Sequence, residues 1–200
     1  MRVIAPGRTR EVPPDIARKL VSATDQFGAR FDVLRMDDLA KASGIPRATL
    51  YYHFSGKDDV LAFIHEAMLA EHRAAVCVDD VGDARDRLAT LLTRHLEHIA
   101  RHPGAAQLLV VNIGRLRGLP ELASTTYDPL VEPIAQILYD GVARGELCPI
   151  DVPRTAITLS NTAHVTAIRS VVSGALGDVT EAAAWLVDLF WDGIGERGRG

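Results

Sequence analysis

The sequence is poor in cysteine, and this limits its chemistry. Among its 200 residues only Cys77 and Cys148 are cysteines, and neither belongs to a Cys-x-x-Cys pair. A disulfide framework and a thiolate zinc site are therefore not expected. Two reduced thiols are typical of a protein that stays inside the cell, so we expect a cytoplasmic location.

Long apolar runs are also missing. The strongest late run, AAAWLVDLFW, is short and is interrupted by Asp188, so no membrane span is expected. The N-terminal MRVIAPGRTREVPP has basic residues but lacks the apolar core of a secretory signal. Neither a paired nucleophile and base nor a glycine-rich phosphate loop stands out, which argues against an enzyme and against a cofactor.

The charge is divided unevenly along a chain whose formal net charge is −4. Residues 1–57 contain ten Lys or Arg against six Asp or Glu, whereas residues 58–200 contain twelve against twenty. A basic N-terminal end on an acidic body favours an anionic partner, and nucleic acid is one possibility. An uneven distribution that arose by chance remains the alternative.

The apolar residues recur with helical spacing, and no convincing alternation predicts a strand. The class is therefore all-α. The predicted inner faces of the first four helices consist of Ile16, Leu20, Ala23 and Phe27; Met36, Leu39, Ala40 and Ser43; Leu50 and Phe54; and Val60, Ile64 and Met68. Longer amphipathic segments are predicted at 84–102, 105–117, 128–144, 153–174 and 180–194.

The stretch GIPRATLYYHFSGKDDVL, residues 44–61, combines a short helix with many outward polar and aromatic side chains. Gly44 is a candidate C-cap, Pro46 starts the helix, and Ser55 to Asp58 fits a capping box. Three short helices with a tight glycine-containing turn describe a helix-turn-helix, whose third helix enters the major groove. The candidate DNA contacts are Arg35, Arg47, Thr49, Tyr51, Tyr52, His53 and Lys57.

These candidates differ in what they can recognise. Arg47 can read a guanine edge with a bidentate fork, and Thr49 can touch a base, a thymine methyl or a phosphate. Tyr51, Tyr52 and His53 suit phosphate oxygens, although one of the two tyrosines is expected to pack inward. Lys57 begins a helix, where positive charge and free N–H groups together favour a phosphate.

The run MDDLAKASGIPRATLYYHFSGKDDVL, residues 36–61, resembles the DNA-binding signature of the TetR/AcrR family of bacterial repressors. The resemblance implies a helix-turn-helix DNA-binding domain at 1–57 and a helical ligand-binding and dimerisation domain at 58–200. It further implies a homodimer that binds a palindromic operator and is released by a small molecule. Two positions depart from the pattern: Leu34-Arg35 replaces the usual Thr or Ser cap, and Pro46 replaces a Ser.

The C-terminal body offers candidate ligand contacts. Asn112, Asn161 and His164 are polar residues within apolar helical segments, and such groups need partners in the core or in a ligand. Tyr127 is a further candidate for closing a pocket. No cluster of Arg or Lys interrupts these segments, so we expect a small apolar or weakly polar organic ligand. In the last helix, Trp185, Leu189 and Phe190 are candidates for the dimer interface.

Two rival functions remain open. His95, His98 and His102 share one helical face, so an all-α metal protein or enzyme is the first. A solvated or partly buried histidine face explains the same spacing without a metal. The second rival is a nucleoid-type protein or activator that uses the same DNA-binding head without a ligand.

Overall fold

The computed structural model describes residues 12–77, 81–112, 129–173 and 178–192. Regular secondary structure in these ranges is entirely helical, which confirms the all-α prediction. In chain order the elements are α1 Pro14–Phe27, a 3-10 helix Gly28–Val33, α2 Met36–Ser43, α3 Arg47–His53, α4 Lys57–Ala75, α5 Ala84–Arg101, α6 Pro103–Val111, α7 Val131–Ala143, α8 Val152–Ser173 and α9 Val179–Asp192. The described helices include none that is both long and apolar enough to span a membrane.

The chain forms two compact units. Unit 1 comprises Met1–Ala74 and Arg101–Tyr127, and unit 2 comprises Ala75–Ala100 and Asp128–Gly200. The boundary predicted after residue 57 falls within unit 1, where α4 begins. The assignment of DNA binding and ligand binding to separate parts of the chain stays a prediction.

The core of unit 1 is built from the faces that the helical spacing predicted. Thirteen inner-face residues were predicted, and Ala40 alone is only partly buried. Leu50 and Phe54 anchor the short α3, and the ring of Phe54 meets that of Phe63 from α4 with centroids 5.4 Å apart. Burial of these apolar side chains is the main stabilising contribution to such a small unit.

The connection between α1 and α2 is itself helical. It forms a 3-10 helix, Gly28–Val33, whose Phe31 is completely buried. The ring centroid of Phe31 lies 6.0 Å from that of Phe27. Phe31 follows Phe27 by four residues and so continues the apolar face of α1. This spacing could have predicted its burial from the sequence.

Helix α6 joins unit 1 from later in the chain and packs on α1 and on the 3-10 helix. Gly104 allows this close approach, because a Cβ atom there would lie 2.5 Å from the Cα and N atoms of Asp25. The Asp25 carboxylate in turn accepts a hydrogen bond of 2.9 Å from the Gly104 N–H. Asp25 thereby satisfies one of the unpaired donors in the first turn of α6.

Unit 2 contains α5, α7, α8 and α9, with α8 packed against both α7 and α9. The buried guanidinium of Arg87 on α5 donates two hydrogen bonds of 3.1 Å to Oδ2 of Asp140 on α7. Gln136 donates to the other oxygen at 2.9 Å. First the Gln136 hydrogen bond and then Arg87 hold the pKa of Asp140 below its usual value.

Candidate nucleic-acid interface

Helices α2 and α3 are joined by a turn whose geometry depends on two residues. Gly44 has a φ of +64°, the left-handed conformation that glycine adopts without steric cost. Pro46 immediately precedes α3 and has the φ of −54° that suits a helix start. The turn therefore fixes α3 against α2, which is the arrangement that a helix-turn-helix requires.

The start of α2 is stabilised without the usual hydroxyl cap. Arg35 occupies the N-cap position, and its own N–H donates to Oδ2 of Asp38 at 2.8 Å. A guanidinium has no acceptor, so Arg35 cannot cap the helix with its side chain. The exposed Arg35 side chain thus remains available for another anion.

Helix α3 presents its large side chains outward. Tyr51 is 48% exposed and Tyr52 59% exposed, so the expectation that one of these tyrosines packs inward was wrong. Leu50 and Phe54 already fill the inner positions. Thr49 and His53 are half-buried at the edges of the face, and the rings of Tyr52 and His53 meet edge to face.

Arg47 stands at the start of α3 and is exposed, as predicted, but it has partners within unit 1. Its Nη1 lies 2.9 Å from Oδ2 of Asp37 on α2. Its guanidinium carbon lies 5.4 Å from the ring centroid of Tyr51. The sequence analysis missed Asp37 as a partner, because a contact between residues ten positions apart on different helices leaves no periodic signal.

Lys57 has partners other than the predicted phosphate. Its ammonium donates to the main-chain oxygen of Asp32 and lies 3.5 Å from those of Phe31 and Leu34. It also lies 5.7 Å from the centroid of the Phe31 ring. These carbonyl groups terminate the 3-10 helix. A phosphate contact by Lys57 would require some of these bonds to break.

The start of α4 also differs from the predicted capping box. Asp59, not Asp58, accepts the hydrogen bond from the N–H of Ser55, at 2.8 Å, and it also accepts one from the Ser55 hydroxyl. The helix begins at Lys57, after Gly56, so Asp59 is the residue whose carboxylate reaches back over the first turn. One of the two reciprocal bonds of the predicted capping box is therefore present, displaced by one residue, while the Ser55 hydroxyl acts as a donor to the same carboxylate.

Residues 20–63, which span the helix-turn-helix, match the family model described as bacterial regulatory proteins, tetR family. This segment is thus of the tetR type. No curated protein matches the chain significantly.

Solved structures share the TetR-family fold over nearly the whole chain. The TetR-family regulator PfmR from Thermus thermophilus has a TM-score of 0.75 at 23% identity over 89% of this chain and 99% of that one. The fatty acid degradation regulator FadR from Bacillus halodurans has a TM-score of 0.72 at 19% identity over 94% and 100%. The regulator FadR from Bacillus subtilis, in complex with stearoyl-CoA, has a TM-score of 0.70 at 20% identity over 90% and 98%.

The candidate ligand residues of this chain belong to different units. Asn112 is buried in unit 1, where its Nδ2 donates to the main-chain oxygen of Leu108 at 2.9 Å. Asn161 lies in unit 2 and is exposed, so the expectation that it is buried was wrong. His164 is half-buried, with its ring centroid 4.9 Å from that of the buried His95. Tyr127 lies outside the described residues.

The candidate interface residues on α9 differ in exposure. Trp185 is 58% exposed, whereas Leu189 and Phe190 are half-buried. On α8, Ile157 and Val165 are also exposed and stand on the same side of the helix, eight residues apart, with Asn161 between them. Both helices therefore present apolar surface to solvent in the single chain.

The histidine face is divided between the two units. His95 and His98 are buried in unit 2, whereas His102 belongs to unit 1. The Nε2 atom of His102 lies 3.0 Å from Oε1 of Glu71. The match of residues 20–63 to the tetR family model favours the regulator over the metal protein or enzyme.

Proposed function

We propose that this protein is a TetR-family transcriptional repressor. It binds a palindromic operator as a homodimer. It is released when an organic ligand binds its C-terminal domain, residues 58–200. The observation that carries the proposal is the outward face of α3. Arg47, Tyr51 and Tyr52 are exposed there above the buried Leu50. Large polar and aromatic side chains on a short exposed helix do not serve packing, and they suit a nucleic acid. No catalytic step is part of the proposal.

We assign a DNA contact to each candidate side chain from the hydrogen bonds that it can form. Arg47 reads a guanine edge, and Thr49 reaches a base, a thymine methyl or a phosphate from the edge of the face. Tyr51, Tyr52 and His53 donate to phosphate oxygens, and Arg35 attracts a phosphate by charge. Lys57 holds the 3-10 helix in place through its carbonyl contacts and therefore acts on DNA through the position of α2.

The exposed apolar surface of α8 and α9 supports the homodimer. Ile157 is 49% exposed, Val165 56% and Trp185 58%, and a partner chain that covered them would remove this surface from water. Leu189 and Phe190 extend the interface, and Asn161 is assigned to it in place of a ligand pocket. Two-fold symmetry matches a palindromic site with half-sites about 34–36 Å apart.

The ligand is proposed to be a small apolar or weakly polar organic molecule that binds beside His164. Burial of the neighbouring His95 supports a site in the interior of unit 2. The FadR neighbour from Bacillus subtilis was solved with stearoyl-CoA, which makes a long acyl chain the first class to test.

The DNA-binding function is tested by selecting an operator from random duplexes and measuring its affinity for the parent and for Arg47→Ala. We expect Arg47→Ala to lose about 1–3 kcal/mol on the selected site and to relax the preference at one base pair. Arg144→Ala is the control, because Arg144 is an exposed arginine of unit 2 that follows α7 and lies outside α8 and α9. Equal affinity of parent and Arg47→Ala for the operator would contradict the assignment.

The ligand is tested separately by adding stearoyl-CoA, stearic acid or free CoA to the operator complex. We expect an acyl-containing compound to release the DNA and to bind the free protein more tightly than the complex, by the same factor. His164→Leu should weaken that binding while operator affinity stays unchanged. Tight binding of a compound with no effect on operator affinity would contradict the coupling.

A further inference from the structure

Arg47 and Asp37 form an ion pair, with Nη1 of Arg47 2.9 Å from Oδ2 of Asp37. The pair joins α2 to the start of α3, with the Arg47 side chain 62% exposed and that of Asp37 47% exposed. The guanidinium therefore meets a carboxylate at Nη1 and the Tyr51 ring beside it, 5.4 Å from the centroid. The position of the guanidinium is set before any DNA arrives.

The carboxylate is oriented as well. Oδ1 of Asp37 is almost inaccessible to solvent, so the exposed oxygen is Oδ2, the one that faces Arg47. An exposed ion pair contributes little to folding stability. A carboxylate on a surface that meets DNA also repels phosphates. The pair therefore calls for an explanation other than folding stability.

We propose that Asp37 is a specificity-determining residue that positions the Arg47 guanidinium for a base edge and cancels its sequence-independent attraction to phosphates. The proposal rests on the proposed DNA-binding function. A guanidinium has five N–H donors, and a single contact at Nη1 leaves Nε and Nη2 to donate to the N7 and O6 of a guanine. Because the side chain is already held, less conformational entropy is lost when the base contact forms.

The Arg47–Asp37 ion pair also lowers the affinity for non-specific DNA. The attraction of a duplex without the preferred site comes from neutralised phosphates and released counterions. With Asp37 at 2.9 Å, Arg47 adds almost no net charge to that attraction. To reach a phosphate, its guanidinium must first leave the carboxylate. On operator DNA, the base contact compensates for the free energy lost when the ion pair separates. On non-specific DNA, no base contact forms to compensate for it.

The test compares Asp37→Asn with the parent on the selected operator and on a scrambled duplex, over a range of salt concentrations. We expect Asp37→Asn to bind the scrambled duplex about fivefold more tightly near 0.15 M salt, with a salt slope steeper by about one, because one more counterion is released. Operator affinity should not rise to the same extent. The ratio of operator to scrambled affinity should therefore fall by at least about threefold.

Two control variants separate positioning from bulk charge. Asp15→Asn removes the same charge from an exposed site in the first turn of α1, and we expect its specificity ratio to equal that of the parent. Asp37→Glu keeps the charge and still reaches the guanidinium, so it should restore most of the ratio. In the Arg47→Ala background, Asp37→Asn should no longer lower the ratio.

The outcomes also distinguish this proposal from the function on which it rests. If the parent binds every selected duplex no more tightly than the scrambled one, the DNA-binding function and the role of Asp37 are both refuted. If the parent selects an operator but Asp37→Asn and Asp15→Asn behave alike, the role of Asp37 alone is refuted. It is also refuted if Asp37→Asn raises the affinity for both duplexes equally. The carboxylate would then repel all DNA alike and would not affect specificity. Thermal unfolding of each variant verifies that the affinities belong to folded protein.

Discussion

The ammonium of Lys57 donates a hydrogen bond to the main-chain oxygen of Asp32, which lies 25 positions earlier in the chain. The last carbonyl groups of a helix have no partner within the helix, and they carry partial negative charge. A cation at this end is therefore favourable. Through this contact, the first residue of α4 fixes the connection between α1 and α2.

Replacing Lys57 by Met should destabilise unit 1. Met keeps an unbranched apolar stem but removes the charged donor, so the free energy of unfolding should fall by about 1–3 kcal/mol, as for a lost hydrogen bond to a charged group. Urea unfolding measures this change. Lys41→Met, at an exposed site in the last turn of α2, is the control and should stay within about 0.5 kcal/mol of the parent. Equal unfolding midpoints for the two variants would refute the role of Lys57.

A methyl group at position 104 should disrupt the contact between α6 and α1. The added Cβ would lie 2.5 Å from main-chain atoms of Asp25, which cannot move aside as a flexible side chain can. We expect Gly104→Ala to cost about 1–3 kcal/mol of stability, measured by urea unfolding. Gly56→Ala is the matched control, because a Cβ at Gly56 meets nothing within 4 Å. A Gly104→Ala protein as stable as Gly56→Ala would show that the helices pack less closely than the structure indicates.

Asp140 should make the stability of unit 2 depend on pH. Its pKa is lower in the folded protein because Gln136 donates to it and because Arg87 pairs with it. The native state then binds fewer protons, so the stabilisation is present above the unfolded pKa and is lost as the pH falls towards the folded value. We expect the gap in melting temperature between the parent and Asp140→Asn to be wide near neutral pH and to close in acid.

The control for Asp140 is Asp151→Asn. Asp151 faces Arg154 at 3.8 Å, and both side chains are largely exposed. Asp151 Oδ1 also accepts from the Arg154 N–H at the start of α8, and an asparagine caps a helix about as well. The exposed ion pair contributes little, so the melting temperature should stay near that of the parent at every pH. A gap for Asp140→Asn that stayed constant with pH would indicate a steric effect of the amide rather than loss of the ion pair.

A negative charge on α9 should separate the homodimer. Trp185 is 58% exposed in the single chain, and an aspartate there would have to lose its hydration in an apolar interface. We expect Trp185→Asp to be monomeric by light scattering, with unchanged helical content by circular dichroism. Val81→Asp is the control, because Val81 is 79% exposed and lies outside α8 and α9. A parent protein that is monomeric at micromolar concentration would exclude this mode of DNA binding.

The sequence by itself determined the class and most of the local architecture. Helical spacing of apolar residues identified the inner faces of α1 to α4, because a buried stripe must recur with the period of the helix. Gly44 and Pro46 marked the turn because their backbone preferences are local. The outward residues of α3 followed from the same periodicity once Leu50 and Phe54 were placed inside.

Tertiary structure alone decided which polar groups meet. Three contacts join different elements: Arg47 with Asp37, Lys57 with Asp32, and Gly104 with Asp25. Their formation depends on how the elements pack, and a polar pair leaves no period in the sequence. The same reason explains why Asn161, which the composition of α8 placed inside, is exposed. A helix buries one face of its surface, and packing against α7 and α9 selects which face that is.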